Sequence, residues 1–287
     1  AQWFKNFKLF EVNLSLNRSL DEDLVSNYSS VSVLSKKIKN VKVKLNATVL
    51  ERSPNLNFIL FRSAYKDYNW YNSDLQNQKS SSLSAEFSYK ELLNISGEYS
   101  VIDNYTFFRE STNSVTGETD NFRIAIPNQI DSKINYFKIK LFSKIDFGKF
   151  SLVNTGQYQK KEQEIEFNGL ATLNVPEWIT RNTIMFSSEV FNNSLFIQTG
   201  LTFNYFTKFF ADYYNPLLSE FVTQNYKEIG DYPRIDLFFN ARIQQTRVFI
   251  KVEHLNSSIS GYDYYSDPFN PYRDLSVRLG LVWNFFQ

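Results

Sequence analysis

The sequence contains no cysteine, which excludes disulfide frameworks, thiolate metal sites and cysteine nucleophiles together. Histidine is almost missing as well. His254 is the single one, so hydrolysis built on a histidine base has one candidate in the whole chain. No stretch approaches the ~18 uncharged apolar residues of a spanning helix, so a helical membrane protein is excluded. A field of one sign is also lacking: 31 Lys and Arg stand against 30 Asp and Glu, a formal net charge of +1. Nothing global therefore argues for nucleic acid or an anionic surface as partner. The sequence starts at Ala1 with neither Met nor a basic-then-apolar leader, and export is compatible with that start.

What the chain does have is rings. It carries 28 Phe and 18 Tyr, and aromatics reach 17%, yet mean hydropathy is only -0.37. A chain whose segments alternate between a greasy and a wet face has this composition. Its 287 residues suit one closed barrel as well as one or two soluble domains.

The organising signal is period two, repeated end to end over segments of about ten residues. Leu275, Val277, Leu279, Leu281, Trp283 and Phe285 share one face, while Ser276, Arg278, Gly280 and Asn284 share the other. Val41, Val43, Leu45, Ala47 and Val49 oppose Lys42, Lys44, Asn46 and Thr48 in the same way. Leu83 to Tyr89 and Leu93 to Val101 read as a hairpin turning near Lys90. A second hairpin turns at Asp146-Phe147-Gly148-Lys149, a third at Asn192-Asn193 and a fourth at Gln244-Gln245. The last of these joins strands expected over 233–244 and 246–256. Long polar connections fall between the hairpins at 108–131, 163–178, 209–232 and 257–273. Counting back from Gln287 gives 13 or 14 strands, with Val31 to Leu34 open either way and Leu56 to Tyr65 apolar on both faces.

Alternation alone also fits a soluble sandwich. The faces decide. Sandwich cores must shrink to fit a partner sheet, whereas these apolar rows are large and end in rings such as Trp283, Phe285, Phe203, Tyr205, Phe137, Phe87 and Tyr89, as interfacial girdles require. A bare terminal strand ending in aromatics would be an aggregation hazard in water. Leu279, Leu281, Trp283, Phe285 and Phe286 instead read as an insertion signal of the kind barrel-assembly machinery recognises. Short turns alternating with long loops match outer-membrane barrels, and closure satisfies every backbone group in hydrocarbon.

The catalytic inventory is thin. His254 follows the lipid-facing row of Val248, Ile250 and Val252, where a ring meets headgroups comfortably and a catalytic base is not needed. Asp120, Asp263 and Asp267 could offer carboxylates to calcium, but their spacing matches no ligand loop and a solvated loop is the simpler account. No catalytic residue, metal or cofactor is expected. The opposite rows carry Lys42, Lys44, Lys138, Lys140, Lys144, Arg242, Arg247, Lys251 and Arg278 with Glu189, Asp236 and Glu253, and are assigned to a lumen lining. Their basic excess would favour anions or neutral polar solutes if the lumen is open. If it is closed, the charges pair across the interior, and inward Phe196, Phe206, Phe238 and Phe249 could narrow it.

From about Leu173 to Gln287 the sequence resembles the putative porin family of Bacteroidota outer membranes. The stretches that carry the resemblance are Leu173-Asn-Val-Pro-Glu-Trp-Ile-Thr-Arg-Asn182, Gln198-Thr-Gly200, Tyr205-Phe-Thr-Lys-Phe-Phe-Ala-Asp-Tyr-Tyr-Asn-Pro216, Gly230-Asp-Tyr-Pro-Arg-Ile-Asp-Leu-Phe-Phe-Asn-Ala-Arg242 and Arg278 to Phe286. Family members tend to be longer upstream, so a trimmed chain is expected. The resemblance implies a Gram-negative outer membrane, a barrel and a channel; it supplies neither a solute nor catalytic residues. The combined expectation is an all-β, transmembrane, antiparallel up-and-down barrel of about 14 strands, one domain over 1–287. Its partners would be the lipid bilayer and lipopolysaccharide, the barrel-assembly machinery during insertion, and other outer-membrane proteins, with no nucleic acid. The expected function is passive diffusion of small polar solutes; the alternative is a non-conducting barrel subunit of a larger outer-membrane complex.

Overall fold

A computed structural model describes residues 1–19, 25–36, 40–112, 123–163, 172–259 and 264–283. Thirteen strands run in sequence order through one antiparallel sheet, each paired to its chain neighbours. They are β1 (Gln2–Asn6), β2 (Phe10–Asn17), β3 (Ser26–Ser35), β4 (Val41–Arg52), β5 (Gln78–Tyr89), β6 (Leu93–Asp103) and β7 (Ile134–Phe147). There follow β8 (Phe150–Gln163), β9 (Trp178–Val190), β10 (Leu195–Phe206), β11 (Arg234–Ile243), β12 (Thr246–Glu253) and β13 (Ser276–Trp283). Among the described residues the sheet has 13 strands, within the expected 13 or 14, and β1 and β13 each have a single neighbour. Val31 to Leu34 lies in β3, paired with both β2 and β4.

Register settles the two faces. Leu279 pairs with Ile250, Phe239 with Ile250, Leu201 with Leu237, Ile184 with Leu201, Leu152 with Ile184 and Ile145 with Leu152, so one continuous apolar row crosses strands. Cross-strand partners share a face and their neighbours in sequence share the other. The apolar row is bare: Leu279 is 71% exposed, Leu281 63% and Leu83 62%. In a soluble sheet such rows would be the best-covered residues. The chain exposes 18830 Å2, whereas a compact globule of 33.8 kDa exposes roughly 12,700 Å2. The sheet is a single-layer wall with two accessible faces.

Turns of few residues join the strands at one end, and their backbones follow what each turn demands. Gly148 takes φ 66 in the two-residue turn between β7 and β8, where a left-handed residue matches strand twist. Gln244 (φ 51) does so between β11 and β12, Lys90 (φ 52) between β5 and β6, and Phe191, Asn192 and Asn193 are all left-handed between β9 and β10. The third and fourth turns lie where the Asn-Asn and Gln-Gln pairs place them.

The other end differs from a set of polar loops. Residues Thr106–Thr112 and Arg123–Gln129 pair as a hairpin, and Tyr213–Asn215 and Glu220–Thr223 as another. Val222 and Thr223 run parallel to Phe108 and Arg109, which fuses the two into a second sheet of four strands. Phe108, Ala125, Tyr213, Leu218 and Val222 form a buried core there. Phe58, Phe61, Tyr68 and Trp70 pack onto it, which accounts for the two rings of the apolar 56–65 stretch, while Leu56 and Tyr65 stay exposed. That segment is a helical turn, Leu56–Ile59, running into a short strand that pairs with Trp70–Tyr71. The described parts of the connections 108–131 and 209–232 therefore form a folded cap with a core.

Candidate functional site

Every residue assigned to a lining lies on the polar face of the wall. Lys42 pairs with Ser88 and Lys44 with Glu86; Lys138 sits between Glu98 and Gln159, and Lys140 between Ser96 and Gln157. Lys144 faces Val153, Glu189 faces Phe196, and Asp236 faces Thr202. Arg242 lies between Phe196 and Arg247, Lys251 between Phe238 and Arg278, and Glu253 opposite Ser276. Leu279, Leu281 and Trp283 lie on the opposite, apolar face, while Phe285 and Phe286 fall outside the described residues.

The charges are not spread evenly along the strands. Toward the cap they are paired: Glu253 accepts Lys251 at 2.7 Å and Arg278 at 2.9 Å, Lys138 meets Glu98 at 2.8 Å, and Arg234 lies 3.5 Å from Asp236. Toward the short turns Lys144 reaches Asp146 at 3.6 Å. Among the described residues Lys42, Lys44, Lys140, Arg242 and Arg247 have no carboxylate within ion-pair distance, and Glu189 no cation. The Glu86 carboxylate opposite Lys44 is instead engaged by the Asn94 amide at 2.7 Å. Two adjoining hollows of about 640 Å3 open at this end, lined by Lys42, Lys90, Lys140 and Lys144 among others.

His254 is not on the apolar row. β12 stops at Glu253 because the Asp236 carboxylate accepts the His254 backbone N–H at 3.0 Å and the chain turns there with φ 58. The ring is 2% exposed, its Nδ1–H donates to the Arg273 carbonyl at 2.7 Å, and Tyr264 meets it edge-on at 4.0 Å. It clamps the loop before β13 to the strand end, a packing role that alternation cannot reveal. Asp267 spends its carboxylate on the backbone N–H groups of Phe269 and Asn270 and on the Asn270 amide. Asp120 and Asp263 lie outside the described residues.

The cap holds a carboxyl group whose ionised form its fold works against. Partial burial raises the Asp212 carboxyl above its ordinary range, against the smaller opposing effects of the Asn174 amide at 3.2 Å, the Thr223 hydroxyl and Lys161. A raised acid favours the folded state while it is protonated. That contribution is present below the ordinary carboxylate pKa and lost as pH rises through the raised value. Asp212→Asn is therefore expected to make the cap more resistant to limited proteolysis at pH 7, with the difference from the parent closing as pH falls through the acid range. Equal resistance at both ends of that range would show that the site pays no such cost.

The exposed apolar row, the charged opposite face and the single-layer wall are the features of a strand-built membrane protein. Comparison with known families agrees: the profile of the family described as "Putative porin" matches residues 1–287. The chain belongs to that family. As a porin-family protein it is placed in the Gram-negative outer membrane, where its apolar row meets lipid. No curated protein sequence matches this porin-family chain. Among solved structures it is similar to the siderophore receptor PirA from Acinetobacter baumannii, at 14% identity and a TM-score of 0.62 over 98% of this chain and 44% of that one. The FrpB iron transporter from Neisseria meningitidis gives 11% identity and a TM-score of 0.62, again over 98% and 44%. The ferric enterobactin receptor PfeA from Pseudomonas aeruginosa gives 14% and 0.58 over 87% and 37%. At these identities the likeness is one of fold, and the chain spans less than half the length of each receptor.

Proposed function

We propose that the wall encloses a water-filled lumen in the outer membrane and carries small polar solutes across by passive diffusion. Closure of the cylinder, through pairing of β1 and β13 with each other or with further strands, is part of the proposal, because an unpaired strand edge in hydrocarbon leaves backbone groups unsatisfied. The observation that supports it is the register. All twelve assigned charged residues fall on the face opposite the lipid-facing row, where only water or one another can solvate them. Terminal aromatics of β13 would present the insertion signal to the barrel-assembly machinery.

Reconstituted into a planar bilayer, the folded protein is expected to give stepwise conductance in potassium chloride. Silence from well-folded protein would sink the diffusion reading. A second reading is favoured by the ordered cap core and by receptors named for siderophore and iron uptake among the similar folds. There the cap would close the lumen until a ligand displaces it, and the bilayer would stay silent while a ferric siderophore bound. Silence with partners co-purifying in fixed ratio would instead favour a non-conducting subunit of a larger assembly.

A further inference from the structure

We infer that Arg242 and Arg247 form a binding site for a small oxyanion, a carboxylate or phosphate, at the short-turn end of the polar face. The inference rests on the reading of that face as water-filled. The two arginines are direct cross-strand partners in the hairpin of β11 and β12, one residue pair from its turn. Like charges placed directly opposite one another repel, and sheets normally avoid the arrangement. Here it stands without a carboxylate within ion-pair distance of either guanidinium among the described residues. Glu189 is the nearest acid by register, but Phe196 lies between the two, and the Arg242 guanidinium lies over the Phe196 ring at 5.3 Å. A ring face accepts no N–H···O hydrogen bond, so the Arg242 donors remain for an oxyanion, which a guanidinium can grip in a fork.

The surroundings have the shape and the donors such a ligand needs. A hollow of about 410 Å3 lies over the pair, walled by Phe196, Phe249 and Val282 and floored by Gln198 and Asn240. That volume suits a small organic anion. The Asn240 amide donates to Gln198 Oε1 at 3.4 Å and Gln198 Nε2 to Ser187 Oγ at 3.3 Å, which leaves each NH2 group a second N–H. Phe249 is held in place by β13: its ring lies across Gly280, where any Cβ would collide with it. Glycine at 280 is thus what lets the aromatic wall stand beside the arginines. Two cations, two amides and a fixed apolar wall make a charge-assisted pocket on a face that is otherwise internally paired toward the cap.

The test uses the full chain folded in detergent, with sodium phosphate and sodium succinate as probes and sodium chloride at matched ionic strength as reference. Phosphate or succinate is expected to raise the thermal unfolding midpoint above the chloride reference and to give a saturable calorimetric isotherm. R242Q and R247Q should each weaken it by roughly tenfold, the loss of one charge-assisted contact, and R242Q/R247Q should abolish it. Removing the mutual repulsion leaves the variants folded, which unheated gel mobility checks. G280A, which displaces Phe249, should weaken succinate more than phosphate. No response beyond chloride, or an unchanged response in the double variant, would overturn the site. Binding in detergent does not require conduction, so a silent bilayer with intact phosphate binding removes the channel reading alone.

Discussion

Leu279→Arg is expected to block stable insertion of the chain into a bilayer. Leu279 sits mid-strand in β13, 71% exposed on the row shared with Ile250 and Phe239. In a water-soluble sheet an exposed leucine accepts arginine within a few tenths of a kcal/mol, and solubility improves. On a lipid-facing strand the same change costs about 2–4 kcal/mol near the bilayer midplane. Folding into vesicles, followed by gel mobility without heating and by protection from protease, would register the loss. Ser84→Arg, on the polar face between Asn46 and Glu98, supplies the comparison. Ser84→Arg should insert like the parent. Equal insertion of both variants would remove the lipid assignment of the apolar row.

Phe108→Ala is expected to unfold the cap and leave the wall standing. Phe108 is 1% exposed, stacked on Phe58 at 4.4 Å between ring centroids and tilted against Trp70 at 6.0 Å. Truncating a buried Phe costs about 3–5 kcal/mol, which a core of only five buried side chains cannot spare. Limited proteolysis should then cut within 53–77 and 209–232 while the β-sheet signal in circular dichroism is retained. Phe221, 62% exposed on the outer side of the same small sheet, supplies the contrast, since Phe221→Ala should leave the cap resistant. Should conductance rise in Phe108→Ala, the cap obstructs the lumen; no change would leave it at the rim.

The strands of the wall were legible because period two is a local property: each apolar residue must find lipid whatever its distant neighbours are. Lys42 and Lys44 could be given a face from Val41 to Val49 alone, and the tight turns from Gly148 and the Asn192-Asn193 pair. The cap was not legible. Phe58, Phe108 and Val222 come from three connections, the first two 50 residues apart and the last 114 further on, and no local spacing signals that they share a core. The long apolar run from Leu56 was its only trace. His254 misled for a related reason, since alternation extends a strand until something ends it, and here the terminator is the Asp236 carboxylate from the neighbouring strand.

A two-faced, all-β chain whose large apolar rows need lipid is written into the residues one by one, because alternation and side-chain size are local. Long-range folding condenses loops on one side into a core-bearing cap, pairs acids with bases toward it, and leaves Arg242 and Arg247 facing each other at the opposite end. Those outcomes depend on register and on contacts between distant segments, and one residue of slip in a strand would exchange the partners of every charge it carries.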